Sequence, residues 1–119
     1  MPSAPSPCRA CGRPIEPRRS HRGREVAYCS KACRARRVGP LARRLEAQLV
    51  ALVDARGRGA SVCPSEVARA VRAESWQELV EPVRRAGRRL AARGELVFTQ
   101  RGRVVDPATA RGPVRLRRP

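Results

Sequence analysis

Within its first forty residues the chain offers almost nothing from which to build an apolar core, yet it carries four cysteines in two close pairs. Cys8 and Cys11 form a CxxC, Cys29 and Cys33 form a CxxxC, and seventeen residues separate the pairs. The large apolar groups of this stretch are chiefly Ile15, Val26, Tyr28 and Val38, too few to offset the entropy of ordering it. A covalent or metal link must therefore supply what packing cannot. The spacing is that of a closed tetrahedral metal site, and a structural zinc contributes roughly 10–16 kcal/mol of apparent binding free energy. A CxxC turn can aim two sulfurs at one point, and Gly12 directly after it lets the backbone turn without steric cost. In YCSKACR a helix starting near Ser30 sets Cys29 and Cys33 on one face. The predicted module is a treble-clef-like zinc finger with structural Zn²⁺ on Cys8, Cys11, Cys29 and Cys33.

Disulfides are the competing use of such cysteines, and they need an oxidising compartment. The segment MPSAPSPCRA has neither an apolar core nor a cleavage pattern for export, and a fifth cysteine, Cys63, leaves an odd count. Four thiolates fill the coordination sphere of Zn²⁺ and leave no open position for water or substrate, so the metal is expected to hold structure and to do no chemistry. His21 could replace one thiolate, but four already suffice and it reads as an exposed loop residue.

Charge limits the partner. The formal net charge is +17, with ten basic and two acidic residues in positions 1–40 and seventeen and eight in positions 41–119. All the basic residues but Lys31 are arginine, which a GC-rich coding bias explains better than it explains the excess of positive charge. Both halves are basic, so an anionic partner is expected, and counterion release favours nucleic acid. Tyr28, Trp76 and Phe98 are the full set of aromatics, which argues against a base-stacking platform and for duplex DNA or structured RNA. No stretch approaches the roughly 20 apolar residues of a membrane span. A cytoplasmic protein with no membrane and no small-molecule substrate is the expectation.

Residues 1–7 are rich in Pro and Ser and read as a disordered lead-in. The metal module takes residues 8–38, Gly39-Pro40 links, and residues 41–119 form a second domain. Leu41, Leu45, Leu49, Leu52 and Val53 recur at helical spacing up to Gly57, the expected C-terminal cap. A short extended segment at Ser61-Val62 leads into CPSEVARAV, where Pro64 suits a first helical turn and Val67, Ala70 and Val71 face inward. Cys63 takes the capping position there, as a small, partly buried residue with no reactive role.

A third helix is expected from Ser75, capped by Glu78, with Trp76, Leu79, Val83, Gly87 and Leu90 as its stripe and Gly94 as its end. Pro82 means either a kink or a short first turn followed by a helix that uses Pro82 near its start. Beyond it, ELVFTQ, the turn RGR and the strand GPVRLRR, with Val114 and Leu116 on one face, form a hairpin. Three helices and a hairpin make an α+β winged helix-turn-helix domain.

The resemblances agree with this division. Residues 8–34, from CRACGRPI to YCSKACR, resemble an uncharacterised bacterial zinc-finger family with a CxxCGRP opening and a YCSxxCR close. Their middle, EPRRSHRGRE, departs from that family's aromatic and basic pattern. Residues 41–118 resemble a second uncharacterised bacterial family with a winged-helix fold, through CPSEVARAV, WQELV and VFTQRGRVVDPATARGPVRLR. Neither resemblance implies an activity.

The function expected is a small, basic, zinc-containing nucleic-acid-binding protein, regulatory or architectural and not catalytic. Arg84, Arg85, Arg88 and Arg89 recur at i and i+4 opposite the apolar stripe, so one exposed face of the third helix would contact phosphates or guanine edges. Arg101 and Arg103 at the hairpin turn would extend that footprint. The alternative is a protein-interaction adaptor, including a ribosome-associated one. An enzyme is disfavoured, because a single histidine stands without GxSxG, a phosphate-cradling loop or a recognisable carboxylate pair.

Overall fold

The computed structural model describes residues 6–15, 27–36 and 38–119; the expectations for residues 1–5 and for His21, Val26 and the EPRRSHRGRE stretch fall outside them. Ser6 and Pro7, assigned by composition to the lead-in, are tied into the front module. The Ile15 amide donates to the Ser6 carbonyl at 2.8 Å, and Pro7 bridges to Pro14. The loop between is closed by the Cys8 amide to Arg13 O and the Gly12 amide to Cys8 O, both 2.8 Å. Gly12 has φ +75, a left-handed conformation that a residue with a Cβ resists. Helix α1, Lys31–Arg36, starts where YCSKACR predicts, with Ser30 Oγ accepting the Cys33 amide at 3.2 Å as an N-terminal cap.

The second domain begins one residue earlier than expected, since Pro40 belongs to helix α2, Pro40–Arg56. Proline suits a first turn, where its missing N–H would have had no intrahelical partner. Leu45, Leu49 and Val53 are buried, whereas Leu41 is 49% exposed because the stripe runs past the end of the core. Helix α3, Pro64–Val71, is capped by Cys63, whose amide donates to Glu66 Oε1 at 3.4 Å. It buries Val67 and Ala68, and Ala68 takes the inward place assigned to Ala70, which is exposed.

The choice posed by Pro82 resolves toward two elements, a turn of 3₁₀ helix at Trp76–Leu79 and then helix α4, Val80–Ala92. Pro82 stands in the first turn of α4, where it breaks no hydrogen bond. The capping box expected at Ser75 does not form: the residue is left-handed, with no side-chain cap, and Glu78 pairs with Arg72 instead. Gly94 ends α4 with φ +76, and the Glu95 amide reaches the Leu90 carbonyl at 3.0 Å, a Schellman closure.

Strands β1, Val97–Gln100, β2, Arg103–Val105, and β3, Arg115–Arg117, form one antiparallel sheet in the order β2-β1-β3. The hairpin thus differs from the expected one. The turn at Arg101-Gly102 joins β1 to β2, pairing Gln100 with Arg103, while GPVRLRR returns on the other edge of β1. VDPATARGP is the connection that carries the chain across. Asp106 folds it, its carboxylate accepting from the Ala108 amide at 2.9 Å and its carbonyl from the Ala110 amide at 2.9 Å. Val62 extends the sheet by exchanging two 2.8 Å backbone bonds with Leu116.

Phe98, Leu116 and Val114 close the core against α4, with Leu45, Leu49, Val53, Val62, Val67, Val83 and Leu90 beneath them. Gly87 permits the approach, since a Cβ there would lie 2.9 Å from Leu116 Cδ2 and 3.0 Å from Phe98 Cζ. Among the described residues no helix is long and apolar enough to cross a membrane.

Candidate metal centre and basic surface

The four cysteines converge. All four sulfurs lie within 4.8 Å of one another, with Cys11 to Cys29 at 3.6 Å and Cys29 to Cys33 at 3.5 Å. A disulfide would bring sulfurs to about 2.05 Å, whereas a tetrahedral ion with metal–sulfur bonds near 2.3 Å spaces them about 3.8 Å apart. The site is therefore shaped to hold a metal ion and is compatible with zinc.

Its electrostatics fit the same ligand. Burial opposes ionisation of Cys8, but amide hydrogen bonds from Cys29, Cys11 and Ala10 outweigh it and bring the thiol down to about 7. Burial and the neighbouring Cys33, Cys11 and Cys8 thiols push Cys29 up to about 12, and burial also raises Cys11. A cation held among the sulfurs would favour their thiolate forms.

The arginine face of α4 is where the structure departs furthest from expectation. Arg88 and Arg89 are only 6% and 7% exposed, so the four guanidiniums do not form a solvent-facing row. The metal module sits against this helix, and Gly12 comes so near that a Cβ would lie 2.4 Å from the Arg88 carbonyl.

Each arginine is engaged internally. Arg89 donates through Nη1 to Ala10 O at 2.6 Å, through Nε to Glu46 at 3.0 Å and through Nη2 to Ala42 O at 3.4 Å. Arg85 places Nη2 at 3.6 Å from Cys33 Sγ. Arg84 reaches the carbonyls of Gly112, at 3.2 Å, and Ala110, at 3.5 Å. Arg88 pairs with Glu81 at 2.7 Å. Burial pushes its guanidinium below its ordinary value, Glu81 opposes that, and the like charges of Arg13 and Arg84 add to it. Sequence reasoning placed these arginines opposite the apolar stripe correctly, but nothing in α4 itself could show that a second module covers that face.

Glu46 and Ala10 were missed as partners for the same reason, since Glu46 lies 43 positions from Arg89 and Ala10 offers only a backbone carbonyl. Glu81, by contrast, stands two helical turns before Arg88 on α4, at a spacing that marks it as a neighbour of that face. Gly12 was visible as a turn residue, though not as the contact point on α4.

Cations remain elsewhere. Of the eight carboxylates in residues 41–119, Glu46, Asp54, Glu66, Glu78, Glu81 and Glu95 are held in ion pairs. By contrast, Arg9, Arg13, Lys31 and Arg34 on the metal module, Arg43 and Arg44 at the start of α2, Arg58 after it, and Arg101, Arg103 and Arg111 on the sheet side are exposed. Their side chains form no ion pair or hydrogen bond with any described residue. On the sheet side, Gln100 Nε2 holds the Arg111 carbonyl at 2.5 Å next to the Arg101-Gly102 turn.

A cleft of about 490 Å³ opens where the modules meet, lined by Ala10, Pro40, Leu41, Leu45, Pro82, Glu81, Arg85 and Arg89. Cys63 lies outside both features, capping α3 with Ser65 Oγ at 3.1 Å from its sulfur.

No curated protein of established function matches the chain. The match to a protein family stops short of the metal module and runs from Ala42, in the first turn of α2, to Pro119. Over residues 42–119 the chain matches the family described as protein of unknown function (DUF3253), and it belongs to that family.

Proposed function

We propose that the chain is a small, non-catalytic nucleic-acid-binding protein of the cytoplasm, regulatory or architectural, in which a treble-clef-like zinc finger is joined to a winged helix-turn-helix domain. One observation carries the reading: carboxylates of the second domain are consumed in internal pairs while ten exposed cations are left without a partner among the described residues. Unneutralised guanidiniums on an exposed surface attract a polyanion through counterion release. The helix, helix, helix, sheet order, with Val62 pairing on the sheet edge, supports the winged-helix assignment. Zinc is supported by the all-thiolate donor set at tetrahedral spacing.

The footprint proposed differs from that of a helix inserted in a groove. With Arg85 and Arg89 turned toward the metal module, phosphate contacts fall to Arg13 on the finger and to Arg101, Arg103 and Arg111 at the sheet. Titrating a labelled duplex at two salt concentrations tests it. Binding should weaken steeply with salt, and Arg101→Glu with Arg103→Glu should reduce the logarithmic salt slope by about one for each phosphate no longer neutralised.

The cleft between the modules, with half-exposed Leu41 on its wall, favours a second reading, an adaptor that docks a protein, including a ribosomal one. Absence of nucleic-acid binding even at low salt would move the assignment there.

A further inference from the structure

We infer that α4 supplies the outer shell of the metal centre, so that metal retention belongs to the two modules together and not to the finger alone. This rests on the metal-site reading above and concerns Arg85 as a positioning residue. Its guanidinium is half-buried, and Nη2 approaches Cys33 Sγ at 3.6 Å from a helix 52 positions away in sequence. One turn further along α4, Arg89 grips Ala10 O at 2.6 Å, the carbonyl midway between Cys8 and Cys11. Gly12, close behind in that loop, rests on the α4 backbone at Arg88 and Arg89. The helix thus touches the loop of the first cysteine pair and a sulfur of the second.

The physical reason is charge. Four thiolates around a divalent cation leave a net −2 on a site whose sulfurs are mostly buried. An N–H donor bearing positive charge, held against one sulfur, disperses that excess and fixes the sulfur's direction. Arg34, next to Cys33 in sequence, is exposed and makes no such contact, so the function falls to an arginine from the other domain. The buried Arg89–Glu46 pair anchors the same helix to α2, which holds Arg85 in register with the site.

The experiment uses the full chain loaded with zinc and measures release to a colorimetric chelator. A wild-type protein that retains no metal overturns the metal-site reading itself. Given a loaded wild type, Arg85→Ala should release zinc about tenfold to a hundredfold faster, and Arg34→Ala, which removes the same formal charge, should match wild type. In the cobalt-substituted protein, Arg85→Ala should also shift the sulfur-to-cobalt charge-transfer band. A loss of packing alone would leave that band in place. Arg85→Gln, which keeps much of the side-chain volume and a neutral donor, gives the same measurement should the alanine variant fold poorly, and should fall between alanine and wild type. Release from Arg85→Ala within twofold of wild type, or equal acceleration by Arg34→Ala, overturns the inference.

Discussion

At the scale of single residues, two glycines decide what can approach α4 from either side. Gly12 admits the metal module and Gly87 admits the sheet, each because a Cβ would meet atoms at 3.0 Å or less. Gly87 has an ordinary helical conformation, so alanine gains helix propensity but must displace Phe98 and Leu116. Overpacking prevails, and Gly87→Ala should cost about 1–3 kcal/mol in urea unfolding; a stability gain would show that the sheet can slide away freely. A second residue-scale effect lies at Asp54, whose carboxylate accepts two bonds from Arg118 at 2.9 and 3.0 Å. These hydrogen bonds hold its carboxyl below its ordinary value near 3.8. The stabilisation is therefore fully present above that value and lost as pH falls through the lower folded one. Asp54→Asn should cost a little stability at neutral pH, little because the pair is exposed, and that difference should vanish as pH falls below about 4, which flattens the acid limb of the profile.

At the scale of elements, the β1–β2 turn carries a conflict. Arg101 and Gly102 both have positive φ, 52 and 80, the signature of a type I′ turn, in which asparagine and glycine are favoured. Arginine in that conformation costs roughly 1–2 kcal/mol, yet it sits at the tip of the exposed cationic surface. Arg101→Asn should therefore stabilise the protein by about 1 kcal/mol in chemical unfolding while weakening binding to duplex. Stabilisation with undiminished binding would remove Arg101 from the interface. Other elements were legible locally: α2 follows from its apolar spacing, α3 from its spacing and Pro64, and α1 from Ser30 within the second cysteine pair. The strand order was not legible, because RVV and VRLRR both suit a partner for β1, and the two take opposite edges of β1 through contacts distant in sequence, among them the Val62–Leu116 bridge.

At the scale of the whole molecule, the two modules depend on different forces. The domain that begins at Pro40 has a continuous apolar core, whereas among the described residues of the front module the cluster is its cysteines, Ala10, Ile15 and Tyr28. Chelation should accordingly unfold the front module and leave the second domain folded. Amide exchange would show protection removed from the described parts of the front module, such as Cys8, Gly12 and Ile15, but kept at Leu49, Phe98 and Leu116. Global unfolding on chelation would mean that the second domain leans on the metal as well.

The four-cysteine cluster was readable in the chain itself because its information is local: two close pairs, each on a turn or at a helix start, aim their sulfurs at one point. Helices α2 and α3 were readable on the same footing, since apolar periodicity acts over a few residues, whereas Pro82 left two outcomes open and the structure split that stretch into a 3₁₀ turn and α4. What only tertiary structure decided was the fate of the arginines on α4. Their spacing marks one helical face, but whether such a face meets water or another module depends on long-range contacts, here Arg89 with Ala10 and Arg85 with Cys33. The ends of those contacts lie 79 and 52 residues apart, and no local pattern records which distant backbone carbonyl or sulfur will accept a guanidinium.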